Sequence, residues 1–396
     1  MARIVCWGLV CLQGILLLIL AARFSPALVD RLVQPRPPSV LLVTIDMLET
    51  RHLHCYTGGK TWTPSFHSLA SDGILFERMY AQAPVTDVSH ASLMTSRYPS
   101  ELFTDRDPRV AVHTMAEQFA RRGFRTAYFP SCGLLNPEVT SKEVADVLPF
   151  GRGFQETFPV DAREGVPLFD THRSGTDTNR IAISWIARQS AAGRPWFAHV
   201  HYRDLHPPAV LSFQPVDDNL GALLAAVDRE NAVVAVLSDH ASSPRAPRLL
   251  DRRLHVPFLM QVPGGPRGAR VKRFAQAVDV GPTLLAAACG EYSRDACSGR
   301  DLFGDAPRRE VVAESRYLDG RMLRGERFKY VEYFTDRPER YLFDMQADPE
   351  EKRNVIARHA AEAQRMQASL AGYLGPTGGH QIMPDTKRLL QRLDYF

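Results

Sequence analysis

Three segments of the sequence carry acidic, hydroxyl or imidazole side chains at positions where they could take part in chemistry. Asp46 ends an aliphatic run over residues 39–45, and the pair Asp239 and His240 ends a second aliphatic run. Residues 83–99, between them, are rich in hydroxyls and contain the predicted start of a short helix, where an anion would be favoured. A carboxylate beside an imidazole suits a divalent cation. Taken singly, Asp46 and the hydroxyl-rich segment are more typical of helix caps than of a site.

The elements that must position these residues alternate between aliphatic strands and amphipathic helices. Strands are predicted at 39–45, 74–80, 125–129, 196–202 and 232–237, and helices at 63–73, near 89, 114–123, 178–189 and 216–228. This alternation predicts an α/β fold with a mostly parallel central sheet and helices on both faces. Asp46 and Asp239 then lie at the carboxyl edge of the sheet, where open α/β sheets place their sites.

The pattern changes after residue 305. Short strands at 310–315, 322–325, 328–334 and 340–343 are separated by turn residues, and 354–374 is typical of one long closing helix. These segments predict a small C-terminal antiparallel α+β subdomain. We therefore expect three parts: an N-terminal segment and linker at 1–34, a catalytic α/β domain at 35–305, and the C-terminal subdomain at 306–396.

An apolar run follows Arg3 and occupies residues 4–22, with Gln13 as its only strongly polar member. As a helix it would be about 28 Å long, close to the thickness of the hydrocarbon core of a bilayer. A cleaved signal peptide has the same layout but usually a shorter apolar region, so a retained N-terminal hydrophobic helix is favoured. We expect the protein to be membrane-anchored or exported, on the periplasmic or extracellular face, with the membrane as a partner.

Composition excludes several functional classes. Hydrophobic residues at 45% and charged residues at 23% exclude a disordered chain and a multi-span membrane protein. The net charge is only +4 and there is no dense basic block, so nucleic acid is not an expected partner. Six cysteines at uneven spacing give neither a zinc pattern nor a disulfide framework. If the chain is exported, Cys289 and Cys297 could form a short-loop disulfide.

Taken together and in this order, the segments resemble the sulfatase family of the alkaline phosphatase superfamily. The most specific piece, residues 63–95, resembles the family pattern TPNLDxLAxxGxxFxxxYxxxxxxxPSHASLxTGxYP. Segments at 200–207, 238–240, 255–259, 278–283 and 341–351 are similar to later family segments. The resemblance implies the α/β fold already predicted and a metal-dependent esterase site.

The resemblance also implies roles for individual residues. The metal ligands fall on Asp46, Thr86, Asp239 and His240, and the catalytic residues are Thr86 as nucleophile, His206 as the acid near the leaving group, and His90. His201 is a candidate for substrate binding. Arg245 and Arg248 match no family motif and are candidates only because their charge could bind an anion. The implied cofactor is one divalent cation. Calcium is expected by analogy with the family, and manganese, zinc or magnesium remain alternatives because an imidazole is present.

The chain departs from the family pattern at several positions. Many members carry a cysteine, oxidised to formylglycine, within a Cys-x-Pro-x-Arg motif, whereas residues 86–90 read Thr-Asp-Val-Ser-His. We therefore expect no formylglycine, and the motif arginine is replaced by His90. Met47 replaces a second carboxylate, Ala241 replaces a common glycine, and the family's Lys/His pair has no clear counterpart at 129–133.

These residues predict a metal-dependent hydrolase or transferase that acts on sulfuric or phosphoric esters through a covalent Thr86 intermediate. Its partner would be an anionic sulfate or phosphate ester. Threonine favours phosphoester chemistry, since it lacks the second hydroxyl with which a hydrated aldehyde expels sulfate. The alternative is a degenerate, non-catalytic sulfatase-like protein that binds an anionic glycan or lipid. Loss of the motif arginine supports that alternative, and retention of Asp46, Asp239 and His240 opposes it.

Overall fold

The computed structural model of the protein describes residues 36–59, 62–103, 112–136, 150–161, 171–205, 213–241, 249–294, 297–315, 319–334 and 337–375. The predicted N-terminal helix at 4–22 lies outside these residues, as do His206, Arg245 and Arg248. None of the helices in the described ranges combines the length and apolarity needed to cross a membrane.

Eight strands form the larger sheet, in the order β4-β3-β5-β1-β6-β7-β2-β8. They are β1 Ser39–Ile45, β2 Ile74–Tyr80, β3 Arg125–Phe129, β4 Glu156–Thr157, β5 Trp196–Tyr202, β6 Ala232–Ser238, β7 His255–Gln261 and β8 Ala269–Gln276. Every neighbouring pair is parallel except those made by β7, which is antiparallel to β6 and β2. The predicted mostly parallel sheet is confirmed.

The described α-helices flank the two sheets. They are α1 His54–Thr57, α2 Pro64–Asp72, α3 Thr86–Thr95, α4 Pro99–Phe103, α5 Met115–Arg121, α6 Gly175–Ala191, α7 Gln214–Ala225, α8 Asp251–Leu254, α9 Val280–Cys289 and α10 Ala360–Leu374. Residues of α3, α5 and α9 join the core on one face of the larger sheet, and residues of α2, α6 and α7 join the core on the other. Helices therefore cover both faces, as the sequence predicts.

Strand alternation divides β1 between these two cores. Val40 and Leu42 pack on the α3 side, whereas Leu41, Val43 and Ile45 pack on the opposite side. All five side chains are fully buried, and each such burial contributes about 1.5–3 kcal/mol. The same alternation places Thr44, the next residue after Leu42 on that face, toward α3.

Helix α3 begins earlier than predicted. The predicted start is near Ser89, but the first helical residue is Thr86, and the residue before it, Val85, is extended. All residues of α3 are buried. Thr86 therefore lies in the first turn of a buried helix rather than in the preceding loop.

Four antiparallel strands form the smaller sheet, in the order β12-β11-β10-β9, which confirms the predicted C-terminal sheet. They are β9 Val311–Glu314, β10 Gly320–Arg324, β11 Phe328–Tyr333 and β12 Glu339–Asp344.

The closing helix starts at Ala360, six residues later than predicted. The side chain of Asn354 accepts hydrogen bonds from the Leu342 and Ile356 backbone nitrogens, which holds this stretch out of the helix.

A buried ion pair connects the segment before the smaller sheet to the start of α9, which packs on the larger sheet. The Arg308 guanidinium donates to both carboxylate oxygens of Asp279, at 2.6 to 3.0 Å, just before α9. Both side chains are almost completely buried. Removing one partner of such a pair costs about 3–5 kcal/mol, so this contact ties the two regions firmly together. The domain boundary at 305 stays a prediction.

The suggested disulfide between Cys289 and Cys297 is wrong in this structure. Both are free thiols, as are Cys55 and Cys132. The Cys297 sulfur instead lies 3.6 Å from two backbone carbonyl oxygens, those of Ser293 and Gly299.

Candidate active site

The polar residues of the site continue the alternation of the buried strands. The hydrophobic face of β6 carries Val233, Ala235 and Leu237 toward α3. Two residues further, Asp239 leaves the strand end on the same face. Asp46 follows β1 in the same way, because Leu42 faces α3. The two carboxylates therefore meet at the carboxyl edge of the parallel strands.

Asp46, Asp239 and His240 form a compact group of potential metal ligands. One ligand atom from each lies within 4.8 Å of the others. The His240 Nε2 is 3.4 Å from Asp46 Oδ1 and 3.7 Å from Asp239 Oδ2. Both of these carboxylate oxygens are buried and have no hydrogen-bond partner among the described residues. Two orphaned carboxylate oxygens beside an imidazole nitrogen fit a divalent cation.

The electrostatics of the two carboxyls agree with this fit. Burial raises the pKa of Asp46 to about 7; the neighbouring Asp239 charge adds to this rise, and the His240 and Arg203 charges oppose it. Burial likewise raises the pKa of Asp239 to about 7. Two buried carboxylates that repel one another favour a cation between them, since the cation would stabilise both charged forms.

The tautomer of His240 suits metal binding through Nε2. Its Nδ1 lies 3.2 Å from the Ala241 carbonyl oxygen, which can only accept, so Nδ1 carries the proton. The Nε2 lone pair is then free to accept, and the Thr86 hydroxyl lies 3.1 Å from it. Thr86 thus joins Asp46, Asp239 and His240, and the structure brings all four predicted ligands together.

The turn after β1 is shaped by Met47 and Ser238. Met47 has φ of 61°, in the left-handed region that residues other than glycine rarely adopt. The Ser238 hydroxyl donates to the Ile45 carbonyl oxygen at 2.7 Å and accepts from the Leu48 N–H at 3.0 Å. Met47 places a buried apolar side chain where the family pattern has a carboxylate.

His90, predicted to be catalytic, lies beneath this group. Its Nδ1 donates to the Thr86 carbonyl oxygen at 2.9 Å and is 3.7 Å from Asp239 Oδ2. Its Nε2 contacts the Thr44 hydroxyl at 3.2 Å. Burial lowers the pKa of His90 to about 4, so the ring is neutral near pH 7. Both nitrogens are engaged, which favours a supporting role over direct contact with substrate.

His201, predicted to bind substrate, is also buried. It has no exposed surface, and its Nδ1 lies 2.9 Å from the Thr44 hydroxyl. Burial holds the pKa of its ring well below the usual range. This placement favours a position in the buried support of the site. The other predicted residues, His206, Arg245 and Arg248, lie outside the described part of the chain.

Sequence reasoning missed two residues of the site. Arg203, directly after β5, points its largely buried side chain at Asp46, with Nε 4.0 Å from Oδ2. Thr44 contacts three histidine rings. Thr44 could have been noticed as a hydroxyl within an otherwise aliphatic strand. Arg203 lies among other polar residues, so nothing in the sequence distinguishes it from its neighbours.

Comparison with known proteins identifies the family. The family model described as Sulfatase matches residues 38–216 and 212–291, which is more than half of the chain. The chain belongs to the sulfatase family. Its class is that of sulfatase-like ester hydrolases, and the residues of the candidate site lie inside the matched region. The four strands of the smaller sheet lie beyond it.

Individual relatives of this sulfatase-family protein differ in how much of the chain they match. The Delta 4,5-hexuronate-2-O-sulfatase of Bacteroides thetaiotaomicron is 29% identical over 80% of this chain and 84% of that enzyme. The steryl-sulfatase of Mus musculus is 33% identical, but the match spans only 24% of this chain and 17% of that enzyme. The phosphonate monoester hydrolase of Agrobacterium radiobacter has the same fold, with a TM-score of 0.67 at 19% identity over 85% of this chain and 95% of that one.

Proposed function

We propose that this sulfatase-family protein is a metal-dependent hydrolase or transferase of sulfuric or phosphoric esters that works through a covalent Thr86 intermediate. The observation that carries the proposal is the convergence of the Thr86 hydroxyl on two orphaned buried carboxylate oxygens and an imidazole nitrogen. A hydroxyl with a purely structural role has no reason to lie beside two unpartnered carboxylates and an imidazole.

Asp46, Asp239, His240 and Thr86 would hold the cation. When bound, a divalent cation supplies positive charge that screens the anionic ester and lowers the pKa of a neighbouring hydroxyl. The expected calcium ion takes six to eight oxygen ligands, whereas this set has an imidazole and lacks the carboxylate that Met47 replaces. The donor set therefore favours manganese or zinc over calcium, and metal analysis of the purified protein decides among them.

The reaction steps follow from the residues. The Thr86 hydroxyl loses its proton to solvent, its oxygen attacks sulfur or phosphorus, and the bond to the alcohol oxygen of the ester breaks. The departing oxygen takes a proton from His206, whose role rests on the family resemblance. Water, or an acceptor alcohol in a transferase, then gives a proton to His206 and attacks the Thr86 ester. The bond to the Thr86 oxygen breaks, the anion or the new ester is released, and the Thr86 oxygen regains a proton from solvent.

Arg203 would bind a non-bridging oxygen of the ester. Its guanidinium is next to Asp46, and no hydrogen bond from it to a described residue engages it. We expect Arg203→Met to lower kcat/KM on the order of 10²-fold, because a charged donor to the developing negative charge is removed. Metal affinity should not fall, since a positive charge near the cation site is lost. Arg203→Lys keeps the charge and should retain part of the activity; equal kcat/KM in the parent and Arg203→Met would contradict this role.

Two substrate classes are distinguished by direct assay. The hexuronate sulfatase relative favours a sulfated sugar, and the phosphonate monoester hydrolase neighbour and the threonine nucleophile favour a phosphoric diester. Purified protein loaded with manganese, zinc or calcium is given an aryl sulfate, an aryl phosphate diester and a sulfated disaccharide. We expect turnover of the phosphoric diester to exceed that of the sulfates. Bound metal with no turnover of any of these esters would favour the non-catalytic binding alternative.

We also propose that residues 4–22 anchor the protein to a membrane or direct its export. The support is the apolar sequence of this run. The full-length protein should remain with membranes after a high-salt wash, and a form that starts near Pro35 should become soluble. A mature N-terminus near Arg23 would instead indicate a cleaved leader.

A further inference from the structure

Three histidine rings converge on one hydroxyl group beneath the site. The Thr44 Oγ1 lies 3.2 Å from His90 Nε2. The other two ring nitrogens are His199 Nε2 at 3.0 Å and His201 Nδ1 at 2.9 Å. All four residues, which we call the Thr44 layer, are buried. The register explains the meeting, because Thr44 on β1 pairs directly with His201 on β5.

The Thr44 hydroxyl determines how many of the three ring nitrogens that face it carry a proton. A hydroxyl group donates one hydrogen bond and accepts two. With three ring nitrogens around it, the Thr44 hydroxyl donates to one ring and accepts from the other two. The second nitrogen of each ring decides which ring receives the hydroxyl proton.

Only one arrangement gives every N–H an acceptor. The Nδ1 of His90 faces the Thr86 carbonyl oxygen and therefore carries a proton. The second nitrogens of His199 and His201, Nδ1 and Nε2 respectively, are buried without a hydrogen-bond partner among the described residues. If either ring accepted from Thr44, its own proton would lie on that second nitrogen as an unsatisfied buried donor. His90 is therefore the ring that accepts, and the other two rings donate.

We propose that Thr44 is a positioning residue that locks His90 in the Nδ1–H tautomer. In this tautomer the His90 N–H holds the carbonyl of Thr86 and faces the carboxylate of Asp239, 3.7 Å away. Thr44 thereby acts on the nucleophile and on a metal ligand through His90. The consequence for metal binding rests on the proposed function; the tautomer itself does not.

The layer also bears on the residue type at position 90, where the family motif has an arginine. A guanidinium has only donors, whereas the group at position 90 must accept from Thr44. An arginine there would face a hydroxyl that already receives hydrogen bonds from His199 and His201. The Thr44 layer, of which His90 is part, therefore favours a histidine over the family's arginine at position 90.

The test removes the Thr44 hydroxyl with little change in shape. Full-length parent, Thr44→Val and Thr44→Ser are compared with Thr126→Val. Thr126 is a matched control on β3, because it is fully buried and its hydroxyl donates to the Gly153 carbonyl at 2.9 Å. Long-range ¹H–¹⁵N spectra of chelator-treated protein with ¹⁵N-labelled histidine report each tautomer, and a His90→Gln variant assigns the His90 signals. Mn²⁺ titration followed by electron paramagnetic resonance reports metal affinity.

The expected parent pattern is Nδ1–H for His90 and His201 and Nε2–H for His199. Thr44→Val should perturb the His90 signals and weaken Mn²⁺ binding about tenfold, as expected when a group supporting a ligand is lost. Thr44→Ser and Thr126→Val should keep both properties. An Nε2–H tautomer for His90 in the parent, or unchanged spectra in Thr44→Val, would overturn the proposal. Parent protein that binds no Mn²⁺ would count against the proposed function, while the spectra would still decide the tautomer.

Discussion

Replacing Thr86 with Asn is expected to leave a folded protein whose ester turnover is lower by a factor on the order of 10³ or more. The amide can still form polar contacts, but it cannot form the ester intermediate with phosphorus or sulfur. Loss of a helix cap does not offer a competing explanation. The N-cap of α3 is Val85, no side chain caps this helix, and the Thr86 hydroxyl contacts His240 instead. Initial rates of the best ester substrate, measured with metal-saturated protein, check the result.

Two further variants separate chemistry from stability. Thr86→Ser keeps the hydroxyl and should retain measurable turnover. Thr95→Ala is the matched control, because Thr95 is buried at the other end of α3 and its hydroxyl donates to the Ala91 carbonyl at 2.6 Å, its one hydrogen bond among the described residues. It should lower the melting temperature without a comparable loss of rate. Turnover by Thr86→Asn at the parent rate would show that the mechanism is wrong.

Strands with a continuous aliphatic pattern could be predicted from the sequence to within a residue. The prediction for β1 is confirmed at both ends, and that for β6 is one residue short. The strand β8 was not predicted, because its first half alternates with exposed charged residues such as Arg270 and Lys272. The start of α3 was misplaced since residues 86–88 have no apolar periodicity, and burial on all sides holds them in the helix.

Some residues of the candidate site could likewise be predicted from the sequence, whereas others depend on how the strands pair. Asp46, Asp239 and His240 stand at strand ends, a position that can be read along the chain. Thr44 and Arg203 could not be assigned, because their contacts depend on which strands are neighbours. The β1–β5 pairing that places Thr44 opposite His201 crosses 157 positions of sequence. Local pattern carries no information about such a pairing.

Asp46→Asn is expected to weaken metal binding by at least about a hundredfold, since it removes one of two carboxylates from a small ligand set. Metal content after dialysis and Mn²⁺ titration measure the effect. Asp217→Asn is the matched control. Asp217 is equally buried, but its carboxylate accepts hydrogen bonds from the Ser65 and Phe66 backbone nitrogens at 3.1 to 3.2 Å. Metal binding should survive that change, because the control lies outside the ligand group.

Asp46→Asn weakens metal binding, but it should increase the stability of the metal-free protein at high pH. Burial and the Asp239 charge raise the pKa of Asp46 from 3.8 to about 7, so the folded state binds this proton more tightly than the unfolded state. The carboxyl therefore stabilises the fold at low pH, and the free energy of unfolding falls as pH rises from about 4 to about 7. Asn carries no charge, so chelated Asp46→Asn should be more stable than chelated parent at pH 8, with a flatter pH dependence. Denaturant titrations at pH 5 and pH 8 measure the free energy of unfolding of both proteins. If the variant is less stable than the parent at pH 8, the two carboxylates do not repel one another in the folded state. The group would then not be a preformed cation site.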